Sequence, residues 1–142
     1  MTKTTLKNYS AIEVTKNQIG KLLDRLIICE RNTKEERKRL LPEWQEAEDF
    51  TVLDEMEILT ADIRGYASQV NLYGAIANEN EAIQRLENLQ VFHKKNVANW
   101  YFNTEEEDYL QIKLYLSLLD YLRLLVLKYL QLLATTKNKD GY

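Results

Sequence analysis

Turn-forming residues and cysteine are scarce in this sequence. Its 142 residues include four Gly, one Pro and one Cys. Sandwiches, barrels and repeated strand–helix crossovers need many tight turns built from such residues, so these folds are disfavoured. The single Cys29 cannot form an internal disulfide, and its place in the apolar run 26–29 predicts a buried thiol in a reducing compartment.

Long apolar runs are also missing. The N-terminus lacks the apolar central region that a secretory signal requires. The most apolar stretch, residues 109–133, is interrupted by charges, so no run approaches the ~20 residues of a membrane span. We therefore expect a cytoplasmic protein without a membrane span. The interrupting charges are Lys113, Asp120, Arg123 and Lys128.

Charge is unevenly distributed along the chain, although the net charge is only −3. Residues 1–41 hold ten Lys and Arg against five Asp and Glu, whereas residues 42–92 hold two against eleven. Oppositely charged segments can neutralise each other within a fold or between subunits. The asymmetry therefore does not by itself indicate an external charged partner.

Helix-start patterns recur, in which a capping residue is followed three positions later by Glu. They occur at Ser10/Glu13, Thr33/Glu36, Asn78/Glu81 and Thr104/Glu107. The apolar periodicity between them predicts helices over 11–31, 43–76, 79–100 and 105–134, with Asn32 as a stop and a break at Pro42.

These elements predict a single all-α domain over residues 1–142. We expect an elongated bundle of four amphipathic helices, or five with the break at Pro42, because a helix over 43–76 would be about 50 Å long. Residues 1–9 and 136–142 are expected to form flexible tails.

The last predicted helix differs from the others because apolar residues cover most of its circumference. Its polar residues fall on one narrow stripe, so we expect it to be central or to lie at a subunit interface. The stripe consists of Lys113, Ser117, Asp120, Lys128 and Gln131. The residues predicted to make the contact are Tyr115, Leu118, Leu122, Leu125, Tyr129 and Leu132.

Two acidic pairs, Glu43/Glu46 and Asp54/Glu57, have the i, i+3 spacing of helical metal sites. The first pair resembles half of the motif of MazG-type pyrophosphohydrolases, but the later Glu-x-x-Asp element is not met at a suitable separation. On a helical wheel the four acids lie roughly 150° from the apolar stripe, whereas metal-binding acids in bundles point inward. We therefore expect residues 43–62 to carry a solvated acidic face.

Arg85 and His93 are the candidates for nuclease chemistry. HEPN-type ribonucleases use an Arg and a His separated by four to six residues, where the imidazole and the cation serve proton transfer and phosphate charge. Seven residues separate this pair, and the extra position rotates it by about 100° on a helix. An ordinary surface histidine is the favoured interpretation.

The basic segment 31–39 is a candidate nucleic-acid contact, since Lys and Arg neutralise phosphates. Arg37, Lys38 and Arg39 are its central cations. Glu35 and Glu36 interrupt the segment, and no helix-turn-helix accompanies it. A solvated or subunit-pairing face is therefore favoured over a nucleic-acid site.

These patterns predict a non-enzymatic helical protein that binds itself or another protein and needs no cofactor. Two alternatives stay open. One is a helical metal-dependent hydrolase of nucleotides or RNA, which would use the acidic pairs or the Arg85–His93 pair. The other is a small nucleic-acid-associated regulator that uses segment 31–39.

Overall fold

The computed structural model describes the backbone of residues 3–46 and 51–140 and the side chains of residues 9–42 and 51–136. Within these ranges the chain is helical and contains no strand, so the all-α prediction is confirmed. Short 3-10 helices at Val91–His93 and Glu106–Tyr109 accompany six α-helices. The α-helices are α1 (Lys3–Asn32), α2 (Lys34–Glu46), α3 (Val52–Tyr73), α4 (Glu79–Asn88), α5 (Lys95–Asn103) and α6 (Leu110–Asp140).

Helices α1, α3 and α6 pack against one another and form the core. Helix α1 is antiparallel to α3, because Glu30 at its end meets Arg64 while Gly20 lies beside Asn71. Helices α3 and α6 run in the same direction, as contacts from Thr60 to Tyr115 and from Gly74 to Tyr129 show. With 31 residues, α6 is about 46 Å long. The long dimension of the domain therefore follows α1 and α6.

Helix α6 contacts α1, α3 and α4. Its fully buried side chains include Ile112, Leu116, Leu119 and Leu122. The last helix therefore packs against the core on one side, while other side chains of the same helix are about half exposed. None of the described helices is both long enough and apolar enough to cross a membrane.

The predicted break at Pro42 is wrong, because α2 continues through it to Glu46. The chain breaks earlier, after Asn32, as predicted for the end of the first helix. There the hydroxyl of Thr33 donates to the carbonyl oxygen of Glu30 at 2.6 Å. Proline removes one helical hydrogen bond, and burial of the neighbouring Leu40 helps to hold α2 on the core despite this loss.

The predicted continuous helix 43–76 is also wrong, since α3 begins only at Val52. Thr51 caps it, accepting a hydrogen bond from the backbone N–H of Asp54 at 3.4 Å. The helix ends at Gly74, which has a φ of 69° and donates its N–H to the carbonyl oxygen of Val70. Glycine adopts this left-handed conformation without steric penalty, which makes it a natural stop.

The predicted helix 79–100 is divided into α4, a 3-10 turn and α5. Asn78 caps α4 as predicted, accepting from the N–H of Glu81 at 3.1 Å. Helix α5 starts where the carboxylate of Glu55, on α3, accepts the N–H groups of Asn96 and Val97. The start of α5 therefore depends on a carboxylate from α3, and the sequence around residue 95 does not predict it.

The remaining start predictions shift as well. Ser10 lies inside α1, which begins at Lys3, and α6 begins at Leu110 rather than at 105 and continues to Asp140. Both helices therefore extend into the segments expected as tails. Glu36 does not pair with Thr33; its two carboxylate oxygens accept the N–H groups of Gln111 and Ile112 at 3.0 and 2.9 Å. This carboxylate caps the start of α6.

Candidate functional site: the outer face of helix α6

One side of α6 faces away from the core, and we call it the outer face. Its large apolar members are about half exposed: Leu110 by 50%, Leu114 by 45%, Tyr121 by 51% and Leu124 by 48%. They recur at alternating steps of four and three residues once the exposed Ser117 and Lys128 are included. This seven-residue repeat is the spacing of a coiled-coil seam. The outer face is Leu110, Leu114, Ser117, Tyr121, Leu124 and Lys128.

The predicted polar stripe of this helix is exposed only in part: Ser117, Lys128 and Gln131 are exposed, whereas Lys113 is not. Lys113 is buried and donates to the carbonyl oxygen of Thr104 at 2.6 Å. Arg123 is also buried; it donates to the carboxylate of Asp120 at 3.0 Å and to the carbonyl oxygen of Leu86 at 3.1 Å. Neighbouring elements offer acceptors to these two cations, so both can be buried with hydrogen-bond partners.

The six residues predicted to make an intermolecular contact lie on the inner side of α6. Four of them, Tyr115, Leu122, Leu125 and Tyr129, are buried, and Leu118 and Leu132 are partly buried against the core. The Tyr115 hydroxyl shares a hydrogen bond with Thr60 (3.1 Å), and that of Tyr129 donates to Gly74 (2.6 Å). Burial raises the pKa of both tyrosines. Within this chain these side chains hold α6 in place.

A groove continues the outer face at its N-terminal end. It has a volume of about 340 Å³ and is bounded on one side by Leu110, Leu114 and Ser117. Tyr101, Glu106 and Lys113 complete its lining. The Tyr101 ring lies 4.6 Å from that of Phe92, and the Lys113 ammonium sits 5.5 Å from the Tyr101 ring centre. The groove therefore combines apolar and aromatic walls with the exposed carboxylate of Glu106 and the Lys113 side chain.

Glu36 and Arg39 position the start of the outer face. The Glu36 carboxylate binds the first backbone amides of α6, as described above. Arg39 donates to the carbonyl oxygen of Asp108 at 2.6 Å, and its guanidinium lies 4.8 Å from the Tyr109 ring centre. Helix α2 thereby fixes where α6 begins. The sequence showed these residues only as a capping pair and a basic segment.

Among the described residues, the predicted metal ligands Asp54 and Glu57 do not form a metal site. The side chains of Glu43 and Glu46 lie outside the described residues. Asp54 belongs to the first turn of α3, and Glu57 is exposed and lies 3.7 Å from Arg37. Among the side chains that the structure describes, no group of three or more His, Cys, Asp or Glu residues could hold a metal ion.

The predicted nuclease pair lies on two different elements. Arg85 belongs to α4, where its guanidinium lies 3.4 Å from the carboxylate of Asp62. His93 is exposed and belongs to the 3-10 helix Val91–His93. The predicted Arg–His pair assumed that both residues lie on one continuous helix. Because α4 ends between them, that assumption does not hold.

The predicted nucleic-acid cations each contact other groups of the chain. Arg37 pairs with Glu57, Lys38 lies 3.5 Å from Glu35, and Arg39 binds the Asp108 carbonyl. The first two line a groove of about 200 Å³ between α2 and α3, which also contains Lys34. These internal contacts would compete with phosphate, so a nucleic-acid role stays a prediction.

Cys29 is buried, as predicted, and its sulfur lies 3.9 Å from the carbonyl oxygen of Gln111. Removal from water disfavours the thiolate, so burial raises the pKa of this thiol. Its role is to fill the α1–α6 contact.

Comparison with known proteins gave no matching family model, no similar curated protein and no similar solved structure.

Proposed function

We propose that this chain is a non-enzymatic assembly protein that associates with a second copy of itself through the outer face of α6. The observation that carries the proposal is the row of four large apolar side chains, each about half exposed, on one side of α6. Scattered surface leucines are ordinary, whereas a contiguous apolar strip marks an interaction surface. The seven-residue spacing further suits a helical partner.

The expected association is weak. Full burial of a leucine side chain contributes roughly 2 kcal/mol, so covering the exposed halves of four large side chains on each of the two copies contributes about 8 kcal/mol. Loss of rotational and translational freedom costs about that much or more. Additional contacts from the groove and from charges are therefore needed, and the complex should dissociate on dilution.

We expect the Leu114→Glu/Leu124→Glu double variant to lose self-association. Each carboxylate would be placed in the apolar strip, where burial without a partner is strongly unfavourable. Light scattering coupled to size exclusion, over a protein series up to about 1 mM, should show the wild-type mass rising above 16.8 kDa while the variant stays at that value.

The matched control is Ile58→Glu, because Ile58 is 47% exposed but lies on α3. It should associate as the wild type does. A wild-type protein that remains at 16.8 kDa throughout the series contradicts the proposal. So does an equal loss of association in the control. Circular dichroism at low concentration checks that each variant is folded.

A further inference from the structure

We infer that the two copies pair antiparallel along their outer faces, with the twofold axis passing midway between Ser117 and Tyr121. This inference rests on the proposed self-association and adds the orientation and register of the contact. It follows from the charges at the two ends of the outer face, from the sizes of its side chains and from the groove beside it.

Charge selects the antiparallel orientation. The exposed acids at 105–108 precede the outer face, and the exposed Lys128 stands at its other end. A parallel pair would bring the two acidic ends together and oppose Lys128 with its own counterpart. An antiparallel pair brings Lys128 of each copy toward the acidic end of the other, which replaces two repulsions with two attractions.

Side-chain size selects the register. With the axis between Ser117 and Tyr121, each Leu114 faces the partner's Leu124 and each Tyr121 faces the partner's Ser117. A large side chain then meets a small one at the centre. Lys128 faces the partner's Leu110, so its aliphatic stem covers the leucine while its ammonium reaches beyond it.

The neighbouring registers of an antiparallel seam fit less well. Moving the twofold axis by half a heptad toward the N-terminus carries Leu124 past the partner's Leu110, to the exposed acids at 105–108, which would leave carboxylates near an apolar side chain. Moving the axis by the same amount toward the C-terminus places Leu114 against the partner's Gln131. The contact between Leu114 and the partner's Leu124 is then lost. Only the central register gives all four apolar side chains an apolar, small or aliphatic neighbour.

The groove can accommodate the partner's Tyr121 side chain. Ser117 and Leu114 form part of its wall, so a tyrosine opposite Ser117 stands at its opening. Glu106 lines the same groove, one helical turn before Leu110. The ammonium of the partner's Lys128, extended past Leu110, therefore reaches toward this carboxylate.

Disulfide trapping tests the register. Leu114→Cys and Leu124→Cys are made separately, each with Cys29→Ala, mixed in equal amounts and oxidised. Positions 114 and 124 oppose each other across the proposed axis. Each is about 15 Å along the axis from its own counterpart, which is beyond disulfide reach. Trypsin cuts after Lys113, Arg123 and Lys128, so peptide 114–123 joined to peptide 124–128 is the expected product.

The outcomes separate this inference from the proposed function. Predominant 114–114 and 124–124 products would mean a parallel pair and would overturn the inference. Absence of all three products, in a protein that does dimerise through the outer face, would overturn the register alone. A wild-type protein that is monomeric in light scattering instead removes the proposed function itself.

A charge exchange provides a second measurement that needs no new cysteine. Glu106→Lys and Lys128→Glu should each weaken the dimer roughly two- to five-fold, because each leaves like charges opposed. The double variant should return to the wild-type dissociation constant, measured by sedimentation at low salt. Failure of the double variant to recover, while both single variants weaken, would overturn the Lys128–Glu106 pairing.

Discussion

Leu122→Ala is expected to lower the free energy of unfolding by about 3–4 kcal/mol, whereas Leu124→Ala lowers it by less than about 1 kcal/mol. The two leucines lie two positions apart on α6. Leu122 is fully buried and Leu124 is about half exposed on the outer face. Truncation of Leu122 leaves a cavity among close-packed neighbours, whereas truncation of Leu124 removes only partial burial.

Urea denaturation followed by circular dichroism measures this difference. The protein concentration has to be low enough that the proposed dimer is dissociated, so that both values describe one folded chain. Equal losses for the two variants would contradict the assignment of inner and outer sides of α6. At high concentration Leu124→Ala should additionally weaken association, and Leu122→Ala should do so only through loss of folding.

Glu36→Ala is expected to lower the free energy of unfolding by about 2–3 kcal/mol, because it removes two charge-assisted hydrogen bonds to backbone amides. The N–H groups of Gln111 and Ile112 lose their acceptors at the start of α6. Glu36→Gln should lose about half as much, since the amide oxygen still accepts one hydrogen bond. Calorimetry or urea denaturation measures the losses.

Glu35→Ala is the matched control for this second prediction. Glu35 is the neighbouring residue on α2, is highly exposed, and lies 3.5 Å from the exposed ammonium of Lys38. Such surface pairs contribute less than about 1 kcal/mol. Amide hydrogen exchange adds a local measurement, because only Glu36→Ala should accelerate exchange at Gln111 and Ile112. A control loss as large as that of Glu36→Ala would contradict the capping role.

These two predictions bear on the candidate site because Glu36 and the buried side chains of α6 fix the position of the outer face. If the first turn of α6 frays, Leu110 and Leu114 lose their fixed positions beside the groove. Glu36→Ala should therefore weaken self-association even where the chain remains folded. This dependence joins a stability contact on α2 to the proposed surface on α6.

The sequence by itself determined the helical class and several boundaries. Scarce Gly and Pro left little turn chemistry, and local signals placed the end of α1 at Asn32 and the cap of α4 at Asn78. The breadth of apolar residues on the last helix also predicted extensive burial, and many of its leucines are buried. Each of these features depends on residues within one helix or one turn, which sequence patterns record directly.

Only the tertiary structure decided which cations of α6 are buried. Lys113 and Arg123 turned inward because Thr104 and Leu86, distant in sequence, present carbonyl oxygens to them. Glu36 and Glu55 likewise set helix starts on other elements. A helical wheel assigns charges to the solvent side, but a cation that finds an acceptor elsewhere in the fold can be buried. Leu110, Leu114 and Leu124 stay about half exposed on the outer face of the same helix.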